Sequence, residues 1–305
     1  MAWMVLLLCV AYYGAEGSHV VGGRDAAPHS RPYMASLQLR GRHGCGGLLV
    51  KEDFVLTAAH CQIPEPFTVV LGSDSLVADE PLKQTFTTVA SIPHPDYDGH
   101  ANDIMLLRLN AKANLSTAVR LIPLQKGRLR AGAECITAGW GDVGDNKTLA
   151  NRLQEVNVTI LSQRRCRGKW GAVPITRSMV CGTGADNFQG FCSGDSGGPL
   201  VCEGASAGIV SFSGRRCGDP RTPDINYISQ DALRRSTCLF RQTRRVAHWE
   251  LVFFFSTAAK PQTFREIFHA HAAASITRVC AHTAFCVYSP AKVRKRRLAR
   301  SNDCC

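Results

Sequence analysis

Between residues 20 and 225 the apolar positions recur in short runs with a period of two. Ala35, Leu37 and Leu39 alternate with Ser36, Gln38 and Arg40, and Val156, Val158 and Ile160 alternate with Asn157 and Thr159. Successive side chains of a strand point to opposite faces, so this period predicts half-buried strands. Further short apolar runs at Thr68–Leu71, Ile104–Leu109 and Ile209–Val210 lie between clusters of Gly, Pro, Asn and Asp. Many short strands with turn-rich spacers predict an all-β domain, a sandwich or a barrel. No repeat of fixed period interrupts the pattern.

The alternation stops near residue 226. Residues 226–305 have few glycines, a run of alanines and several Arg clusters, and end VRKRRLARSNDCC. They read as a separate, poorly ordered tail. At the other end, Met4 to Ala11 (MVLLLCVA) is a run too short to span a bilayer and suited to the apolar core of a signal peptide. Ala15 and Gly17 are small residues where a signal peptidase reads, which predicts a signal over 1–17 with cleavage after Gly17. No other apolar stretch reaches membrane-spanning length. The expected protein is secreted, or packed into granules.

Composition sharpens this picture. Hydrophobic residues make up 45% of the 305, which excludes wholesale disorder, and 14 cysteines suggest an oxidising compartment. The net charge of +12 would suggest a polyanionic partner, but it is unevenly placed. Residues 226–305 hold 14 Lys and Arg against 4 Asp and Glu, whereas residues 20–225 hold 22 against 19. The whole-chain charge therefore says little about the β domain. A local patch of Arg164, Arg165, Arg167 and Lys169 keeps heparin as a candidate partner, with no specific nucleic acid and a monomer expected.

Three separated segments carry candidate chemistry. Thr57-Ala58-Ala59-His60-Cys61 follows an apolar strand, Asn102-Asp103 precedes another, and Gly194-Asp195-Ser196-Gly197-Gly198-Pro199 places a Ser among glycines. A Ser hydroxyl is a poor nucleophile at neutral pH. It needs a His to take its proton, and the His needs a buried carboxylate to fix its tautomer. Glycines let backbone N–H groups approach a developing oxyanion. Singly, each residue has an ordinary reading as a structural His, a turn Asp or a loop Ser; the three together in the order His, Asp, Ser are far more specific.

The sequence resembles the trypsin-like, chymotrypsin-fold serine endopeptidases. VVGG at 20–23, CGG at 45–47, LTAAHC at 56–61, NDIMLLRL at 102–109, AGWG at 138–141, GDSGGPLVC at 194–202 and VSF at 210–212 occur in the family's order and cover about 20–225. Within the family, residues 27–39 look like the granulocyte and lymphocyte branch. The resemblance implies two antiparallel six-stranded β-barrels, with an atypical C-terminal extension. It implies His60 as general base, Asp103 as its orienting carboxylate and Ser196 as nucleophile, with the N–H groups of Gly194 and Ser196 as the oxyanion hole. It also implies proteolytic activation: loss of the dipeptide Ser18-His19 exposes the amine of Val20, which pairs with Asp195. Peptide and protein substrates, serpin-type inhibitors and no cofactor or metal follow from the same resemblance.

Specificity is read from four positions. Gly190 stands six residues before the nucleophile, where a trypsin has Asp. Phe191 is expected to narrow the pocket, Ser213 to lie at its rim, and Asp224 to lie in its wall. A carboxylate in a narrow pocket favours a guanidinium, so cleavage after Arg, with Lys weaker, is expected. The alternative is a solvated Asp224 and a pocket for small apolar side chains.

The family also implies four disulfides, Cys45–Cys61, Cys135–Cys202, Cys166–Cys181 and Cys192–Cys217; sequence alone leaves about 105 pairings of eight cysteines. No CxxC or paired-His spacing suggests a metal site. Cys238, Cys280, Cys286, Cys304 and Cys305 have no family counterpart. Asn114, Asn146 and Asn157 head glycosylation triplets, and Asn157 lies on the polar side of its strand. Past Asp224 the chain reads INYISQDALRR, where a family member continues into a Tyr-containing strand and a C-terminal helix. Both elements are expected to be replaced, exposing core and a β edge. Two readings compete: an active endopeptidase, and a catalytically weak or inactive isoform that binds heparin or surfaces.

Overall fold

The structure, a computed structural model, describes residues 20–143, 148–186 and 188–228. The expected signal, the Ser18-His19 dipeptide, Asn146, the C-terminal helix position and the five tail cysteines lie outside the described residues.

The chain opens on a two-residue strand, β1 (Arg24–Asp25), followed by β2 (Met34–Leu39), β3 (Arg42–Lys51), β4 (Phe54–Thr57), β5 (Thr68–Leu71), β6 (Gln84–Pro93) and β7 (Met105–Leu109). Strands β2 to β7 close on themselves in the order β2-β3-β4-β7-β6-β5, every neighbour antiparallel. Then come β8 (Glu134–Gly139), β9 (Gln154–Ile160), helix α1 (Gln163–Trp170), β10 (Met179–Thr183), β11 (Pro199–Cys202), β12 (Ala205–Phe212) and β13 (Asp224–Ile228). The order β9-β10-β13-β12-β11-β8, closed by β8–β9, forms a second six-stranded antiparallel barrel, with β1 added beside β9. Closure pairs the backbone groups that an open sheet would leave at its edges.

The alternation identified many of these strands, and the tertiary fold qualified it. In β9, Val156, Val158 and Ile160 are buried while Asn157 is exposed, as the pattern predicts. In β2 the polar side is also covered: Ser36 is fully buried and its Oγ lies 2.8 Å from His43 Nδ1. The second barrel packs against that face, so a nominally solvent-facing Ser becomes an interior hydrogen-bond donor. Inside the first barrel Leu37, Leu49, Val55, Val69 and Leu107 form the core; Val156, Val158, Val180 and Leu200 do so in the second.

The expected break at residue 225 falls inside a strand. Asp224–Ile228 pairs with β10 through Met179↔Tyr227 and with β12 through Ile209↔Tyr227. The Tyr-containing strand is therefore present, and it closes the second barrel. Residues such as Ile225 and Tyr227 belong to the buried set that the two neighbouring strands require. The four expected disulfides are all formed.

Candidate active site

The His60 side of the site is built by the first barrel. Strand β4 ends at Thr57, and a single 3-10 turn, Ala59–Cys61, carries His60. The Cys45–Cys61 disulfide ties that turn to β3. Asp103 precedes β7, and its carboxylate holds His60 twice. Oδ1 accepts the His60 backbone N–H at 2.8 Å, and Oδ2 lies 2.7 Å from Nδ1. Asp103 is 3% exposed. Burial works to raise its pKa, but the hydrogen bond and charge of His60, with the Ser211 hydroxyl and the His60 N–H, outweigh it and hold the carboxyl below its ordinary value. Ser211, from β12 of the second barrel, donates to Asp103 Oδ2 at 2.5 Å. The two buried sulfurs beside His60 are bonded to each other and offer no thiolate to a metal.

Ser196 sits on a loop of the second barrel that docks against the first. Its carbonyl accepts Gly46 N–H at 2.8 Å, and Gly197 N–H bonds Val210 O at 2.8 Å. Gly197 has φ +80°, and a Cβ there would lie 2.1 Å from Thr57 Oγ1 and 2.6 Å from Gly46 O. Only glycine meets both conditions. Gly194 has φ +94°, with Gly141 Cα 3.0 Å from where its Cβ would stand.

The carbonyl of Gly194 is tethered by His43, whose Nε2 lies 2.9 Å away while its Nδ1 faces Ser36. Burial pushes the His43 pKa down to about 4, against the opposing bond to Gly194, so the ring is neutral at ordinary pH. With Nε2 as donor to the carbonyl, Nδ1 accepts from Ser36. Next to it, Asp195 is fully buried; Oδ1 accepts Gly141 N–H at 2.8 Å and Oδ2 accepts Cys192 N–H at 2.9 Å. Burial lifts its pKa to about 7 despite these two bonds. Val20 is buried in the second barrel, and the neighbouring Val21 carbonyl accepts Gly190 N–H at 3.1 Å.

A third buried carboxylate lies at Gly190. Asp224 opens β13 and is 2% exposed, so it is not a solvated loop residue. Its Oδ2 accepts the Phe191 N–H at 3.0 Å, and among the described residues Oδ1 has no hydrogen-bond partner. Burial raises its pKa to about 8; the Phe191 and Gly218 backbones oppose the rise and Asp195 adds to it. A Cβ on Gly190 would stand 1.9 Å from Asp224 Oδ2. Positions 190 and 224 thus share one space, and a carboxylate entering from 224 requires glycine at 190. Phe191 is buried beside it, Ser213 is half-buried, and the Cys192–Cys217 disulfide braces the neighbouring segments.

Ser36, His43 and Ser211 were not singled out from sequence. Ser211 lay inside the VSF motif, and the only available signal for the others was a polar residue at an apolar-flanked strand position and a His just before CGG.

Residues 20–233 match the Trypsin family, and the chain belongs to that family of serine-type endopeptidases. It acts on proteins or peptides. It is similar to serine protease 57 of Mus musculus, 46% identical over 221 residues that cover 70% of this chain and 78% of the relative. Mast cell protease 3 of Ovis aries is 40% identical over 233 residues, covering 74% and 90%. The solved structure of neuropsin, a serine protease expressed in the limbic system of mouse brain, matches with a TM-score of 0.66 and 38% identity, over 73% of this chain and 98% of that one.

Proposed function

We propose that the protein hydrolyses peptide bonds through an acyl-enzyme on Ser196, with cleavage after Arg in preference to Lys. The observation that carries the reading is the contrast between Asp103, held by His60 and Ser211, and Asp224, whose Oδ1 has no hydrogen-bond partner among the described residues. In this mechanism His60 takes the Ser196 proton as the hydroxyl attacks the scissile carbonyl. Asp103 keeps Nδ1 as the protonated nitrogen and supports the imidazolium that forms. The N–H groups of Gly194 and Ser196 stabilise the tetrahedral oxyanion, each such donor supplying on the order of 2.7–4 kcal/mol. Collapse expels the amine, which takes the proton from His60, and water then repeats the cycle to release the acid.

Asp224 supplies the specificity. A guanidinium entering the pocket satisfies the open Oδ1 and neutralises a charge that burial otherwise opposes. Arg offers a planar fork of donors where Lys offers one point charge. Gly190 gives the carboxylate its space, while Phe191 and Ser213 shape the approach.

The surrounding biology follows from supporting features. Removal of residues 1–17 and then Ser18-His19 would free the Val20 amine to pair with Asp195 and fix the Gly194 peptide. The apolar run Met4–Ala11, the four disulfides and the likeness to a mast cell protease support secretion or granule storage. Asn114 and Asn157 are exposed and open to glycosylation. Exposed Arg164, Arg165, Arg167 and Lys169 on α1 offer a site for heparin, and serpins are the expected inhibitors.

Expressing the chain with Val20 as N-terminus and adding a fluorophosphonate tests the core of this reading. Labelling at Ser196, absent in Ser196→Ala, is the expected result; an unlabelled but folded protein would favour the binding-protein alternative. A peptide library with Arg, Lys, Ala and Phe at the cleavage position tests the pocket, and preference for Ala would sink the Arg assignment.

A further inference from the structure

The loop that delivers Asp103 belongs to the first barrel, yet its firmest side-chain anchors come from the second. Tyr227, in β13, is 2% exposed, and its hydroxyl donates to the His100 carbonyl at 2.7 Å. Burial holds the phenol well above its ordinary pKa, with the Asn102 backbone hydrogen-bonding the same group in opposition. The hydroxyl thus stays protonated at working pH and meets the backbone on both sides of Ala101. Two residues beyond His100, Asn102 sits at φ +59°, a left-handed conformation that a short polar side chain tolerates but that costs free energy. Asp103 follows directly.

Other bonds converge on the same turn. Asp98 Oδ1 accepts the N–H groups of His100 and Ala101 at 2.9 and 2.6 Å, and Asn102 Nδ2 donates to Asp96 O at 2.9 Å. Those contacts shape the loop internally. The His100 ring lies 3.0 Å from Pro174 O through Nε2 and 5.2 Å from the Phe212 ring. Tyr227 is different in kind, because it ties the main chain immediately ahead of Asp103 to the strand that also carries Asp224. A side-chain contact can rotate away, but a bond to the carbonyl restrains the path of the chain.

We propose that Tyr227 is a positioning residue for proteolysis, its hydroxyl clamping the His100 carbonyl so that Asp103 is presented to His60 at hydrogen-bond distance. This rests on the roles proposed above for Asp103 and His60. Tyr227 acts through that loop and touches neither substrate nor the reacting atoms. Loss of the hydroxyl leaves the His100 carbonyl without this donor and removes the Tyr227 bonds from β13 to the loop, while the ring keeps its packing.

The test is Tyr227→Phe in the activated full chain, measured alone and combined with Asp103→Asn. Fluorophosphonate titration of the unaltered protein comes first, since failure to label Ser196 there would remove the catalytic reading and this proposal together. Given labelling, Tyr227→Phe is expected to lower kcat about 5- to 10-fold per titrated site, the order of one hydrogen bond. KM for an Arg peptide should change less than twofold, and the acid limb of the kcat/KM profile should move to lower pH as His60 loses support. In the Asp103→Asn background the same substitution should cost less than twofold, because the group it positions is already disabled. A lower melting temperature with kcat per site and pH profile unchanged would overturn the proposal and leave the protease reading intact. Equal losses in both backgrounds would also overturn it.

Discussion

Asp103 and Asp224 are the same residue at nearly the same depth, 3% and 2% exposed, and their surroundings drive them in opposite directions. Asp103 receives His60 through the ring and backbone and Ser211 through its hydroxyl, and its pKa falls. Asp224 receives the Phe191 N–H on Oδ2, its Oδ1 has no hydrogen-bond partner among the described residues, and its pKa rises to about 8 against the opposing Phe191 and Gly218 backbones. Burial acts against ionisation in both cases; the donors decide the outcome. The first carboxylate has its partners built into the protein. The second has fewer, and under the proposed preference for Arg a cationic substrate side chain supplies the missing partner.

The sharpest way to break this comparison is to remove the charge that His60 depends on. Asp103→Asn should lower kcat on the order of 10⁴-fold with little change in KM, because the amide favours the wrong imidazole tautomer. Single-turnover kinetics with an Arg ester would show it. Asp224→Asn removes the other charge and should act on recognition. Its kcat/KM for an Arg peptide should fall roughly 100- to 1,000-fold, reflecting the several kcal/mol typically lost with one partner of a buried pair. Turnover of a small apolar peptide should change far less, and equal losses on both substrates would contradict the assignment.

Ser211→Ala takes one donor from the saturated carboxylate. A hydrogen bond to a charged group contributes about 1.5–3 kcal/mol, so a loss of kcat of about tenfold or more is expected, with a weaker His60–Asp103 pair visible in the pH profile. An unchanged kcat would show that the His60 bonds alone are sufficient.

The smallest effect is on stability. Asp224 has a folded pKa of about 8 against 3.8 for an ordinary Asp carboxyl, so between those values the folded protein binds more protons than the unfolded chain. Its contribution therefore becomes less favourable as pH rises through that window. Asp103 has the opposite sign: its lowered pKa stabilises the fold above the ordinary carboxylate range and is lost on acidification. Asp224→Asn should consequently gain melting temperature over the unaltered protein as pH rises from 5 to 8.5, roughly 2–4 °C for each kcal/mol recovered. A difference that is flat with pH would show that Asp224 is already ionised without penalty.

Much of the proposed site was legible because the chemistry proposed for it needs specific residue types in local contexts. His60 beside a Cys, Asp103 at the head of an apolar strand and Ser196 among glycines announced themselves, since a turn at φ +80° and a close barrel contact leave room only for Gly197. Ser36 and His43 did not. Nothing in MASLQLRGRHGCGG indicates that a second barrel covers the polar side of β2, which turns Ser36 into an interior group. The Tyr-containing strand, expected to be replaced, depends on tertiary neighbours in the same way. INYI looked foreign in its order of residues, but a strand bounded on both sides by neighbours with matching apolar residues pairs regardless, and Asp224–Ile228 closes the barrel.

By itself the sequence determined the strand periodicity, the glycine context of Ser196, the identity of the carboxylates and, through the family it resembles, the pairing of the cysteines. Tertiary structure alone decided which donors each buried carboxylate receives. It also decided which polar residues are interior, and that β13 reaches across to the loop before Asp103. Those properties depend on donors brought from residues far apart in the chain, such as Ser211 to Asp103 and Tyr227 to His100. Local pattern carries no record of such partners, because hydrogen bonding and desolvation act through space and not along the sequence.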